Sequence, residues 1–149
     1  MNMVSAMTGV WLGVDVGTVR VGVARSDPRG VLASPVATLA REGGVRELAR
    51  LVQEHEAVGV VVGLPVTLAG REGTSAALAR HYAEQLARVI SPIPVELVDE
   101  RLTTVAAERR LAARGVRGRA RRAVVDQAAA VEILQHWLNA QHAQSDGPV

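Results

Sequence analysis

Cysteine and lysine are absent from this 149-residue chain, and aromatic side chains are nearly so. Without cysteine there is no disulfide framework, no thiolate metal site and no thiol nucleophile, and a reducing, cytoplasmic compartment is the natural reading. Trp11, Tyr82 and Trp137 are the only aromatic residues, too few for base stacking to dominate binding of a nucleic acid. Long apolar runs are missing too. The longest, Val58 to Val66, is less than half of the roughly 20 residues that a membrane-spanning helix needs. The N-terminus shows neither the basic region nor the apolar run of a signal peptide. With no lysine, all 17 basic residues are arginine, so almost nothing titrates between neutrality and pH 10. A formal net charge of only +2 then lifts the pI to about 10.3.

What is present is unevenly placed. Eight arginines (101, 109, 110, 114, 117, 119, 121 and 122) crowd between Arg101 and Arg122 against the single acid Glu108. The rest of the chain keeps nine arginines and fourteen acids, so a local basic patch rides on a near-neutral body. Such a run is either a solvated face or a phosphate-binding surface. Mutual repulsion among eight cations favours an anionic partner.

The length suits one domain, expected over residues 10–140, with a flexible leader at 1–9 and a disordered polar tail at 141–149. Val10 to Val16 and Arg20 to Arg25 read as a hairpin turning at Gly17-Thr18, and Val31 to Leu39 as a third strand that Pro35 confines to an edge or a bulge. Val45, Leu48, Leu51 and Val52 mark an amphipathic helix. Val58 to Val62 reads as a strand covered on both faces. After a loop from Leu64 to Gly73, Thr74 or Ser75 is placed to cap a helix with the stripe Leu78, Tyr82, Leu86, Val89. A strand from Val95 to Val98, a helix from Thr103 or Thr104 to about Arg114, a loop from Gly115 to Arg119 and a last helix from about Arg122 to Asn139 complete the pattern. The order implies an α/β fold, a mixed sheet with helices packed on it.

Chemistry is carried by acids at element ends. Asp15 lies inside Trp11-Leu-Gly-Val-Asp-Val-Gly-Thr18, an otherwise buried strand, where an unpaired carboxylate costs several kcal/mol, by rough estimate. Gly13 and Gly17 flank it on the same face and leave room for a group that is not protein. Asp99-Glu100 follow the last strand, and Asp126 opens the last helix. If the last strand lies beside the first and the final helix crosses both, the three acids converge, and a hard divalent cation, Mg²⁺ or Mn²⁺, relieves their repulsion. Each has a plainer role as well. Asp126 complements a helix dipole, Asp99-Glu100 makes a surface strand end with Glu100 paired to Arg101, and Asp15 is a structural buried acid. The four histidines (55, 81, 136 and 142) show no ligand spacing.

Four collinear segments give the chain a resemblance. They are Gly13-Val-Asp-Val-Gly-Thr-Val-Arg-Val-Gly-Val-Ala-Arg-Ser-Asp27, Val61-Val-Gly-Leu-Pro65 with Gly70 and Gly73, Val98-Asp-Glu-Arg-Leu-Thr-Thr104, and Val125-Asp-Gln-Ala-Ala-Ala-Val-Glu-Ile-Leu134. Together they resemble the YqgF/RuvX family of the RNase H-like superfamily over about Gly13 to Leu138. The resemblance implies an RNase H-like fold with a mixed five-stranded sheet, three antiparallel strands then two parallel, flanked by helices. It implies a metal-dependent nuclease that cleaves phosphodiester bonds with two Mg²⁺ or Mn²⁺ ions and matures the 5′ end of 16S pre-rRNA. Holliday-junction resolution on branched DNA is the alternative within that chemistry. The implied catalytic acids are Asp15, Glu100 (with Asp99 as its competitor) and Asp126, with metal on Asp15, Glu100 and Asp126. Arg20, Arg101, Thr103 and Thr104 fall in the family motifs as nucleic-acid contacts, beside Arg117, Arg119, Arg121 and Arg122 of the basic run. Val19, Arg25 and Thr67 depart from the family pattern, and Arg25 is expected to restore the positive charge missing at position 19.

Two other classes compete. A kinase-like ATPase would use Gly13 to Thr18 as a phosphate loop, but 149 residues hold only one of the two halves needed to enclose a nucleotide. A non-catalytic RNA-binding factor would rest on the arginines alone, with metal irrelevant. For the nuclease, partners are expected to be structured RNA or branched DNA, with the chain a monomer or a homodimer.

Overall fold

The computed structural model describes residues 8–67, 69–102 and 119–145, and of these the side chains of 102, 119–125 and 145 lie outside the description. Alternation builds the sheet. Strand β1 (Trp11–Val16) turns at Gly17-Thr18-Val19 into β2 (Arg20–Ser26), and β3 (Ala33–Ala40) pairs antiparallel on the far side of β2. Strand β4 (Gly59–Leu64) runs parallel to β1, and β5 (Val95–Asp99) parallel to β4, giving the order β3-β2-β1-β4-β5. This is the mixed sheet expected, with one correction. The last strand does not lie beside the first, because the wholly buried β4 separates them. Pro35 sits on the edge strand, next to a register shift opposite Val23 and Ala24 that leaves Val36 as the extra residue.

Two helices cover one face. Helix α1 (Arg46–Glu54) buries Leu48, Leu51 and Val52. Helix α2 (Thr74–Ile90) buries Ala76, Ala79, Tyr82, Ala83, Leu86 and Ile90. Its buried stripe is rotated from the expected one, leaving Val89 exposed, because alanines let the helix lie closer to the sheet than Leu78 and Val89 would. Neither Thr74 nor Ser75 caps it. The extended Gly73 holds the cap position with no side-chain bond. This face is the larger core, built on Leu12, Val14, Val21, Val23, Val60 and Val62.

The opposite face belongs to α3 (Arg119–Ser145), which packs chiefly across β1, β2 and β3. It buries Ala129, Ala130, Ile133, Leu134 and Leu138 against Trp11, Ala24, Val61 and Val98, and Trp137 tilts onto Trp11 with ring centroids 4.2 Å apart. The helix is longer than expected at both ends. Residues 141–145, read above as tail, are helical, and His142 Nε2 bonds the Gly30 carbonyl at 2.8 Å. Gln135 also accepts from Ala33 N–H and donates to the Val31 carbonyl. No helix among the described residues is long and apolar enough to cross a membrane.

Candidate active site

Alternation along β1 sends Leu12, Val14 and Val16 into the larger core, and Trp11, Gly13 and Asp15 toward α3. Asp15 is 2% exposed. Its Cα partner on β2 is Gly22. The β1–β4 register runs from Trp11–Gly59 to Val14–Val62, so one residue further on Gly63 lies beside it. A carboxylate thus stands in a cross-sheet row between two residues that have no side chain.

The glycines beside Asp15 on the neighbouring strands hold no free room: a Cβ on Gly22 would lie 2.1 Å from the Asp126 carbonyl oxygen, and one on Gly63 2.5 Å from Ile133 Cδ1. Gly13 is taken up by packing, since a Cβ there would meet Leu134 Cβ at 2.5 Å. Gly17 belongs to the turn and donates to the Arg20 carbonyl. Gly22 and Gly63 were present in the motif segments, but only pairing between distant strands shows that they frame the acid.

Glu100 enters the same space from the other side. It opens a short 3₁₀ turn, Glu100–Leu102, directly after β5, and is 3% exposed. Its Oε1 sits 2.8 Å from the point that a Cβ on Gly63 would occupy. Burial, and then the charge of Asp99, push its carboxyl up to about 7. Asp99 faces away. It accepts from Arg101 Nε at 3.0 Å, Nη2 at 2.7 Å and the backbone N–H at 2.9 Å, and the Arg101 hydrogen bond holds it below the usual carboxylate range. Adjacent acids thus have opposite environments, one dry and one solvated on an arginine.

Asp126 completes the group from α3. It lies about two turns inside the helix, not in its first turn, so the helix-dipole role does not apply to it. Its backbone oxygen presses on β2: a Cβ on Gly22 would lie 2.1 Å from it. Gln127 Nε2 donates to Thr38 Oγ1 at 2.9 Å and pins the same turn to β3. The side chain is held by Arg20, Nε to Oδ2 at 2.9 Å, with both partners about a quarter exposed.

These donors fit a hard divalent cation in chemistry: all are carboxylate oxygens, two of them dry, and a positive charge would relieve the raised proton affinity of Glu100. The third is engaged elsewhere. Among the described residues, no three carboxylate or imidazole groups are gathered closely enough to hold a metal ion.

Among the arginines, Arg20 borders the acids, and Arg101 lies beside the loop after β4, its Nη1 3.3 Å from a Cβ placed on Gly70. Arg25 does not replace a charge at position 19. It pairs with Leu12 at the opposite end of β2, about 17 Å from Arg20 at the usual rise per residue, and meets His55 Nδ1 at 3.2 Å. Thr103, Thr104, Arg117 and the expected helix to Arg114 lie outside the described residues. Arg119, Arg121 and Arg122 stand on α3 with their side chains outside the description.

A family model described as RuvX, Holliday junction resolvase, matches residues 9–140. A protein of Frankia casuarinae described as a candidate pre-16S rRNA nuclease is 59% identical over 140 residues, covering 91% of this chain and 69% of that one. A Mycolicibacterium paratuberculosis protein of the same description is 62% identical over 135 residues, covering 89% and 81%. Among solved structures, Thermus thermophilus RuvC in complex with a Holliday junction substrate matches with a TM-score of 0.56 at 12% identity, covering 91% of this chain and 96% of that chain. That likeness is one of fold.

Proposed function

The chain belongs to the RuvX family, and from that premise we propose that it is a metal-dependent nuclease whose substrate is the 5′ region of 16S pre-rRNA in the cytoplasm. The observation that supports this most is the pair of dry carboxylates, Asp15 and Glu100, set around the side-chain-free position Gly63. Burial and the neighbouring charge of Asp99 raise the proton affinity of Glu100, and a cation bound there would offset both.

Asp15 and Glu100 would hold the divalent ions, with Asp126 as the third donor and Asp99 outside the set because Arg101 occupies it. When bound, such ions activate water for attack on phosphorus and neutralise the leaving oxygen. The chain's own part is positional. Strand β1 fixes the Asp15 carboxylate between Gly22 and Gly63, and the Arg20 guanidinium, held by Asp126 through Nε, keeps further donors for a phosphate oxygen. The basic segment through Arg117, Arg119, Arg121 and Arg122 would follow the nucleic-acid backbone without reading bases.

The test is to incubate the pure protein, with Mn²⁺ or Mg²⁺ and with chelator, on a 16S precursor 5′ fragment and on a four-way DNA junction. Metal-dependent cutting of the RNA is expected. Cutting of the junction alone would move the substrate to branched DNA, as the family description has it. Binding of both with no turnover in metal would leave an RNA-binding factor.

A further inference from the structure

The Arg20–Asp126 ion pair engages the third carboxylate, on a turn of α3 that presses on Gly22, the β2 partner of Asp15. We propose that it is a latch: Arg20 keeps Asp126 out of the metal site until a substrate phosphate takes the guanidinium, so that metal and nucleic acid bind cooperatively. The inference rests on the nuclease reading above and assigns Arg20 a positioning role beyond contacting phosphate.

Three observations carry it. Asp126 is engaged with Arg20, Nε to Oδ2 at 2.9 Å, while among the described residues no three acids form a metal-holding group. The backbone of Asp126 cannot be the moving part, because its carbonyl is pressed onto β2 where a Gly22 Cβ would lie only 2.1 Å away and Gln127 is tied to Thr38. Only the side chain is left to turn. Finally, the pair is about a quarter exposed, and among the described residues it uses Nε alone of the five guanidinium donors. A phosphate can therefore approach Arg20 before the pair breaks.

The energetics favour such an exchange. Turning Asp126 toward Asp15 and Glu100 adds a negative charge there, so without a cation it is better placed on Arg20. A phosphate diester supplies Arg20 with a replacement anion, and a divalent ion supplies Asp126 with a replacement cation. Each event makes the other easier, and linkage requires the coupling to be equal in both directions.

Mn²⁺ titration by calorimetry and electron paramagnetic resonance, with and without a non-cleavable structured RNA, tests this on the full chain. In the wild type, RNA should tighten Mn²⁺ binding by about fivefold or more. Arg20→Ala should bind Mn²⁺ that much more tightly without RNA and gain little when RNA is added. Arg20→Lys, which keeps a cation for Asp126, should restore weak metal binding in the absence of RNA. Asp126→Asn should abolish the RNA-dependent tightening, and thermal melts of all variants check folding. Equal Mn²⁺ affinity in wild type and Arg20→Ala, or full RNA-dependent tightening in Arg20→Ala, overturns the latch and leaves the nuclease reading standing. No Mn²⁺ binding by any variant under either condition overturns both.

Discussion

The two faces of the sheet are made by the same strands and serve opposite ends. Toward α1 and α2, β1 and its neighbours present Leu12, Val14, Val21, Val23, Val60 and Val62, each fully buried. Toward α3 the same strands present Gly13, Asp15, Gly22 and Gly63, with Glu100 folded in from the end of β5. One face gains stability from side chains. The other omits side chains so that a helix backbone and two acids fit, and gives up burial energy to do it.

That contrast can be broken from either side. The largest effect is expected for Asp15→Asn, which should lower metal-dependent cleavage more than about a hundredfold while leaving the thermal melt close to wild type. Its neighbour Leu12→Ala should do the reverse, costing about 2–5 kcal/mol in urea unfolding and sparing the activity of the molecules that remain folded. Glu100→Gln should stabilise the protein, with a pH signature. The folded carboxyl titrates at about 7 against an ordinary value of 4.5. Between those pH values the folded chain keeps a proton that the unfolded chain has lost, so wild-type stability falls as pH rises through that window. The advantage of the glutamine variant, measured in chelator, should grow from near zero below pH 4.5 to about 3 kcal/mol above pH 7. Gly22→Ala probes the side-chain-free floor, and should cost about 1–3 kcal/mol as α3 is pushed off β2. Asp99→Asn should be the mildest, below about 1 kcal/mol, with cleavage retained, since among the described residues Asp99 is bonded to Arg101 alone.

Much of this face was legible before the structure. A carboxylate within Trp-Leu-Gly-Val-Asp-Val-Gly-Thr marks itself, because alternation and burial are local properties. The five strands were readable for the same reason, and the three-antiparallel, two-parallel order came with the family motifs. Non-local pairing was not readable. Gly13 and Gly17 looked like open space beside Asp15, yet Leu134 fills the one and the turn takes the other, while Gly22 and Gly63 on neighbouring strands admit the Asp126 backbone, Ile133 and Glu100. Which of Asp99 and Glu100 is buried turned on which face β5 gives to α3, and Val98 on that face carries Glu100 with it. Helix α3 was read short because Gln135 and His142 find their partners about a hundred residues away, in the loop before β3.

The extra residue at Val36 has a consequence for assembly. An edge strand offers unpaired backbone groups to any passing chain. On β3, Pro35 supplies no N–H, and the adjoining bulge puts the groups that remain out of step with a regular partner. That margin of the sheet is therefore a poor template for strand-by-strand extension by a second copy. Self-association through the described sheet would then fall to β5, its other edge.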